Sequence, residues 1–268
     1  VDPHIHLDYV YTARMPGANN GTGTLFEGIQ RWSETKGNMT IDEIKERARI
    51  ALKKEILYGT QYMRTHVDVT DPKFTGLKAI MELKEEYKDK IKINVGLEVD
   101  YVEGYEEKIK KMLDNYGEYL DEGILSVHFL RLDDVYHCLD MSVDEFGIIA
   151  KILGGVEKVY DKYFETLIKS INADLGRYKP KRIGHPTLVR IFNEKYPMDY
   201  KNEALIDKVI KTIKENGYEI DFNTAGLRKQ YCKETYPSGV FLDKAIKNNI
   251  KMVKGSDAHS AKDVGKVF

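Results

Sequence analysis

Residues 41–57 read IDEIKERARIALKKEIL, and residues 61–69 read QYMRTHVDV. In the first stretch Ile41, Ile44, Ala48 and Leu52 recur at helical spacing, which lines up one apolar face and leaves Lys, Arg and Glu on the other. The second is short and β-rich, with Tyr, Thr and Val. A helix running straight into a strand is half of a βαβ unit. The same texture extends outward in both directions. Further β-rich runs are expected at Asp2–Asp8, Ile91–Tyr101, Gly123–Leu130, Lys181–Leu188, Gly217–Asn223 and Ile250–Asp257. Amphipathic stretches lie between them at Phe74–Lys88, Tyr105–Tyr119, Val143–Ala173, Asn202–Asn216 and Ser238–Asn248. Strands alternating with helices predict an α/β fold, a TIM-like (β/α) barrel; seven strands are one short of the usual eight, so either the barrel closes with seven or an eighth strand is missed or lies beyond Phe268.

The chain has 268 residues, enough for one barrel and little else, so residues 1–268 are read as a single domain. Apolar residues make up 42% and charged residues 32%, which excludes a disordered chain. The 42 Lys and Arg nearly cancel the 43 Asp and Glu, and a net charge of -1 argues against nucleic acid as a partner. No apolar run reaches the roughly 20 residues of a membrane span, and no signal peptide is visible, so no membrane partner is expected. Two cysteines, Cys138 and Cys232, cannot form a disulfide framework, and a cytoplasmic location is expected. The chain opens inside an expected strand, which suggests a trimmed or assembled sequence.

In a (β/α) barrel the chemistry sits at the C-terminal ends of the strands. Six of the seven histidines fall on or just after expected strands: His4, His6, His66, His128, His185 and His259. Glu98 and Asp257 join them. His4 and His6 are two apart, so both face one side of their strand. Imidazoles converging with carboxylates suit a transition-metal site. Any one of these histidines could instead be a satisfied core residue; six with two acids at successive strand ends argue for a site. His137 is the outlier, expected in a loop between the fourth strand and a helix. Arg190 and Arg228 follow strand ends and offer planar forks that fit phosphate oxygens. Arg182 sits low on its strand and is read as structural.

The residues also carry two family resemblances. Residues from about 1 to 90 resemble the front of a cytosine deaminase of the amidohydrolase superfamily, through Pro3-His4-Ile5-His6-Leu7-Asp8, Gly23–Ile29 and Arg64–Val69. Residues from about 91 to 268 resemble histidinol-phosphate phosphatases of the PHP family. That match rests on Gly96–Tyr101, Ser126–Leu130, Lys179–His185, Asp221–Leu227 and Gly255-Ser256-Asp257-Ala258-His259. Together they suggest a chimera, engineered more readily than natural, with its join near 91–95. The deaminase resemblance supplies only His4 and His6, which makes cytosine deamination improbable. The phosphatase resemblance implies a seven-stranded barrel and metal-dependent hydrolysis of L-histidinol phosphate, weak or lost if the joined halves fit poorly. It implies Glu98, His128, His185, Asp257 and His259 as metal ligands, with His4 and His6 in place of that family's first pair and His66 near its second-strand histidine. It also implies proton transfer by Asp257 or His259, and a phosphate clamp from Arg190 and Arg228. The metals implied are zinc, manganese or iron. That family carries a further histidine shortly after its His-x-His, and Leu7–Met15 has none, so two ions are expected where up to three would otherwise bind. The alternatives are an inactive barrel scaffold and a deaminase-like amidohydrolase.

Overall fold

The structure, a computed structural model, describes residues 2–8, 10, 38–67 and 73–257. Seven strands form one sheet whose order follows the chain: β1 (Asp2–Ile5), β2 (Tyr62–Val67), β3 (Lys92–Asp100), β4 (Glu122–Ser126), β7 (Arg182–Ile183), β8 (Glu219–Asn223) and β9 (Met252–Gly255). The pairs β1–β2, β2–β3, β4–β7 and β7–β8 are parallel. Consecutive parallel neighbours need crossover connections, and the intervening helices supply them.

The chain divides into two compact units. The first comprises residues 1–98, 120–122 and 254–268. Here α1 (Ile41–Leu57) opens with a reciprocal capping box: Thr40 Oγ1 accepts from Glu43 N–H, and Glu43 Oε2 accepts from Thr40 N–H at 2.8 Å. Its buried stripe of Ile44, Ala48, Ala51 and Leu52 is the face read from the spacing. Packed beside α1, α2 (Thr75–Glu86) buries Leu77, Ala79, Ile80 and Leu83. Ion pairs Lys45–Glu82 and Arg49–Glu86 bridge the outer faces of these helices. The register of β1 against β2 slips by one residue between Asp2 and Ile5. The last strand returns to the first. Asp257 N–H donates to His4 O at 2.7 Å, and Ser256 Oγ donates to the same oxygen at 3.1 Å.

The second unit comprises residues 99–119 and 123–253. It contains α3 (Glu106–Tyr116), α4 (Val143–Leu153), α5 (Val156–Asn172), α6 (Glu203–Glu215) and α7 (Gly239–Lys247). The stretch Val143–Ala173, expected as one helix, is two. Gly154 and Gly155 break it at φ 86° and 147°, conformations that glycine adopts without a Cβ clash. The core of this unit is aliphatic and aromatic, with Phe146, Tyr163, Leu167, Ile183, Val209, Ile220 and Phe241 all buried. The strand expected to run to Leu130 ends at Ser126, and a separate hairpin follows. Its strands are β5 (Phe129–Leu132) and β6 (Val135–Cys138), turning on Asp133 and Asp134, both at positive φ.

Candidate metal and phosphate site

Four of the expected donors meet in the first unit. His4, on β1, is fully buried, and His6 lies just past that strand. Their Nε2 atoms are 3.3 Å apart. Glu98 comes from β3 and Asp257 from just past β9. Glu98 Oε2 is 3.3 Å from His6 Nε2 and 3.7 Å from His4 Nε2. Asp257 Oδ1 is 3.4 Å from His6 Nε2 and 3.5 Å from His4 Nε2. Ligand atoms held 2.0–2.1 Å from a tetrahedral ion lie about 3.3–3.4 Å from one another, so these donors already stand near the edges of such a tetrahedron. The donor set of two imidazoles and two carboxylates therefore fits a divalent ion.

Several contacts hold the donors in place. Leu7 N–H donates to Thr65 Oγ1 at 3.0 Å, and Arg47 Nη1 donates to Asp8 O and Val10 O, fixing the backbone that carries His6. Asp257 itself sits at φ 50°, in the left-handed region, a strain that clusters at functional sites.

The electrostatics of the cluster follow from burial against charge. Burial alone would lower the His6 pKa, but hydrogen bonds to Asp257 and Glu98 outweigh it and raise the imidazole to about 9. Protonated His6 thus occupies the charge role of a cation between two carboxylates. His66 goes the other way. Burial, then the positive charge of His4 and His6, holds it well below the ordinary histidine value. Its ring lies 4.7 Å from that of His4, and neither ring nitrogen makes a hydrogen bond, although Glu122 Oε1 is 3.4 Å from Nε2. A buried neutral imidazole with unspent nitrogens has the chemistry of a ligand. Gly96 makes room for it: a Cβ there would stand 2.8 Å from Glu122 O and 3.1 Å from His66 Cδ2.

In the second unit His128 and His185 adjoin, with ring centroids 4.8 Å apart. His128 sits two residues beyond β4 instead of on it, and its Nδ1 pairs with Asp100 Oδ1. Such a carboxylate fixes the imidazole's tautomer and direction. His185 follows β7 at φ 27°, and Tyr163 Oη donates to its carbonyl at 3.3 Å. Arg190 closes a one-turn helix after β7, and Arg228 closes the matching turn after β8. Arg190 is gripped by Glu234 through Nε at 2.6 Å and Nη2 at 2.7 Å. Arg228 Nη1 donates to Thr224 O at 3.1 Å. Arg182 is buried and donates from Nε to Glu219 Oε1 at 2.8 Å, a structural role as expected. His137 stands on β6, not in a loop, and pairs with Glu145 at 2.7 Å, outside both histidine groups. His259 lies outside the described residues, as does nearly all of the segment 9–37.

Asp100 and Glu122 were not singled out from the sequence. Asp100 ends a strand two residues after Glu98, on the same face, and that spacing could have flagged it. Glu122 opens β4, and nothing in its local sequence marks it.

Parallel strands with imidazole and carboxylate donors at their ends define the class: a TIM-like α/β protein with the donor set of a divalent-metal site. The family model described as PHP domain matches residues 33–225. A histidinol-phosphatase from Bacillus subtilis is 41% identical over 245 residues, covering 85% of this chain and 91% of that protein. The chain belongs to the PHP-domain histidinol-phosphatase family.

A solved structure from Listeria monocytogenes, described as a histidinol phosphatase, superposes with a TM-score of 0.80 at 27% identity, covering 99% of this chain and 97% of that one. This likeness shows the seven-stranded TIM-like barrel fold expected from the sequence. A histidinol phosphate phosphatase from Lactococcus lactis, solved with zinc, L-histidinol and phosphate, has a TM-score of 0.61 at 18% identity over 82% of this chain and 86% of that one. An N-isopropylammelide isopropyl amidohydrolase from Pseudomonas is 36% identical over 99 residues, which is 35% of this chain and 25% of that protein. Among the described residues no helix is long and apolar enough to cross a membrane.

Proposed function

We propose that this chain is a metal-dependent phosphomonoesterase that hydrolyses L-histidinol phosphate to L-histidinol and phosphate. The observation that carries the reading is the four-donor cluster of His4, His6, Glu98 and Asp257, whose ligand atoms all lie within 4.8 Å of one another. The 41% identical Bacillus subtilis relative supports the substrate, and the zinc in the Lactococcus lactis structure supports the metal class. Zinc, manganese or iron would be held by these four residues, with His66, His128, His185 and His259 as further ligands, for two ions and up to three. Bound ions would supply Lewis acidity toward a phosphoryl oxygen and bring the pKa of water toward 7.

The chain's own groups do the rest. His66, kept neutral by burial, offers a lone pair on one ring nitrogen and an N–H on the other. Asp100 holds His128 in one orientation. Arg190, pre-set by Glu234, and Arg228 would clamp the equatorial phosphate oxygens and stabilise charge as it develops. Asp257 or His259 would pass a proton to the leaving alkoxide. A cytoplasmic home is supported by Cys138 and Cys232, which are both free thiols. The two-source reading, with a join near 91–95, is supported by the amidohydrolase match over 35% of the chain; the PHP match extends on both sides of that join.

The test is phosphate release from L-histidinol phosphate by the metal-reconstituted chain. Release should exceed that of His128→Ala and Asp257→Ala by at least about a hundredfold. Equal release from all three would reject the reading. No release with metal bound would favour an inactive scaffold, and loss of cytosine absorbance would favour a deaminase.

A further inference from the structure

The two edges of the His66 ring face different surroundings in the first unit. His66 pairs in register with Gly96 on β3. A Cβ on Gly96 would stand 3.1 Å from His66 Cδ2, so the Cδ2 edge of the ring is turned to the β3 side. Nε2 adjoins that edge and lies 3.4 Å from Oε1 of Glu122, on β4. Nδ1 belongs to the opposite edge, and β1 flanks β2 on that side. There the ring of His4 meets that of His66 at a steep angle, with centroids 4.7 Å apart.

Glu122 is itself held in place. Its Oε2 lies 3.0 Å from Arg64 Nε, a pairing that matches its charge. Tyr62 braces this pair: its Oη accepts from Arg64 Nε at 3.2 Å and from Asn94 Nδ2 at 2.8 Å. The backbone at the start of β4 is clamped to β3. Asp121 N–H donates to Val95 O, and Val95 N–H donates to Asp121 Oδ2, both at 2.8 Å. Gly96 completes the fit, since a Cβ there would stand 2.8 Å from Glu122 O and 3.2 Å from Glu122 Cγ. A guanidinium, a carboxylate and an imidazole thus follow one another from Arg64 through Glu122 to His66.

A neutral imidazole carries an N–H on one nitrogen and a lone pair on the other. His66 is fully buried, so its N–H is costly without an acceptor. With the proton on Nε2, the N–H faces a carboxylate oxygen, and closing 3.4 Å to a hydrogen bond takes a few tenths of an ångström. With the proton on Nδ1, a lone pair on Nε2 would face the lone pairs of an anion in a dry interior. We propose that Glu122 is a positioning residue for His66: it accepts from Nε2–H, fixes that tautomer, and leaves the Nδ1 lone pair on the β1 side for a divalent ion. Carboxylates commonly orient metal-ligating histidines in this way. The inference rests on the metal-dependent reading, in which His66 is a ligand.

The tautomer is read in the metal-free chain, carrying isotope-labelled histidine, by long-range proton–nitrogen NMR correlation near neutral pH. Signals lost in His66→Gln assign the ring. Wild type should show Nε2 protonated and Nδ1 bare, with an NOE from the Nε2–H proton to the Glu122 side chain. In Glu122→Gln the amide oxygen stays with Arg64 and the amide nitrogen turns its hydrogens to Nε2, so the two ring nitrogens should exchange roles. Zinc affinity, measured by competition with a chelator, should then fall about tenfold to a hundredfold. Protonated Nδ1 or a missing NOE in wild type would overturn the proposal. So would an unchanged pattern in Glu122→Gln, or an exchanged pattern with unchanged zinc affinity. If Glu122→Gln does not fold, the wild-type pattern and NOE decide alone. A chain that binds zinc yet releases no phosphate would sink the phosphatase reading and leave these readouts as they are.

Discussion

Adding zinc to the metal-free chain should raise its thermal midpoint, and His6→Ala should remove most of that rise. The donor atoms around His6 lie 3.3–3.7 Å apart, so a tetrahedral ion would require them to move by only a few tenths of an ångström. Little reorganisation opposes binding, and the binding free energy passes into stability. At free metal 100 to 1,000 times the dissociation constant, the gain is about 2.7–4.1 kcal/mol. For a chain of this size that is a rise of about 5–15 °C. His6→Ala leaves three donors and should cut the rise to less than half. His137→Ala is the control: His137 pairs with Glu145 apart from the cluster and should leave the rise intact. Differential scanning calorimetry with buffered free zinc measures all three. An equal rise in wild type and His6→Ala would refute the ligand assignment.

Other outcomes follow from single contacts. Glu219→Ala deprives buried Arg182 of its 2.8 Å partner and should cost about 2–3 kcal/mol in denaturant unfolding, with Glu219→Gln costing less. In the metal-free chain, His6 has a folded-state pKa raised to about 9 against about 6.5 unfolded. Its contribution, of order 3 kcal/mol, is full below pH 6.5 and is lost as pH rises through 9. The thermal midpoint of the chelated protein should therefore fall over that window more steeply than that of His6→Ala. Glu234→Ala frees Arg190, and if Arg190 clamps phosphate, kcat/KM for histidinol phosphate should drop about tenfold; an unchanged value would remove Arg190 from the site.

The parallel strands were legible because each is a short β-rich run, and all seven runs overlap an observed strand. Helix α1 was legible to the residue, since Thr40 and Glu43 cap it and its apolar spacing is regular. The break at Gly154-Gly155 was not read, because apolar periodicity continues through both helices and hides two adjacent glycines. The hairpin was missed for a related reason: Phe129–Leu132 looked like the tail of the preceding strand, although Asp133-Asp134 between two four-residue runs is a turn signal. Within the site, His-x-His predicted its own geometry, since alternate residues share a face. Glu98 and Asp257 were reached by strand position. Asp100 and Glu122 were not, since their roles depend on which strands become neighbours. Arg190 was read as a free fork, but its guanidinium is held by Glu234, 44 residues on, a contact that no local pattern reveals.

The most direct test is an anomalous difference map from crystals grown with zinc and measured at the zinc edge. A peak about 2.0–2.1 Å from the Nε2 atoms of His4 and His6 and from carboxylate oxygens of Glu98 and Asp257 is expected. A map with no peak among those four side chains, at full zinc occupancy elsewhere or none at all, would contradict the account.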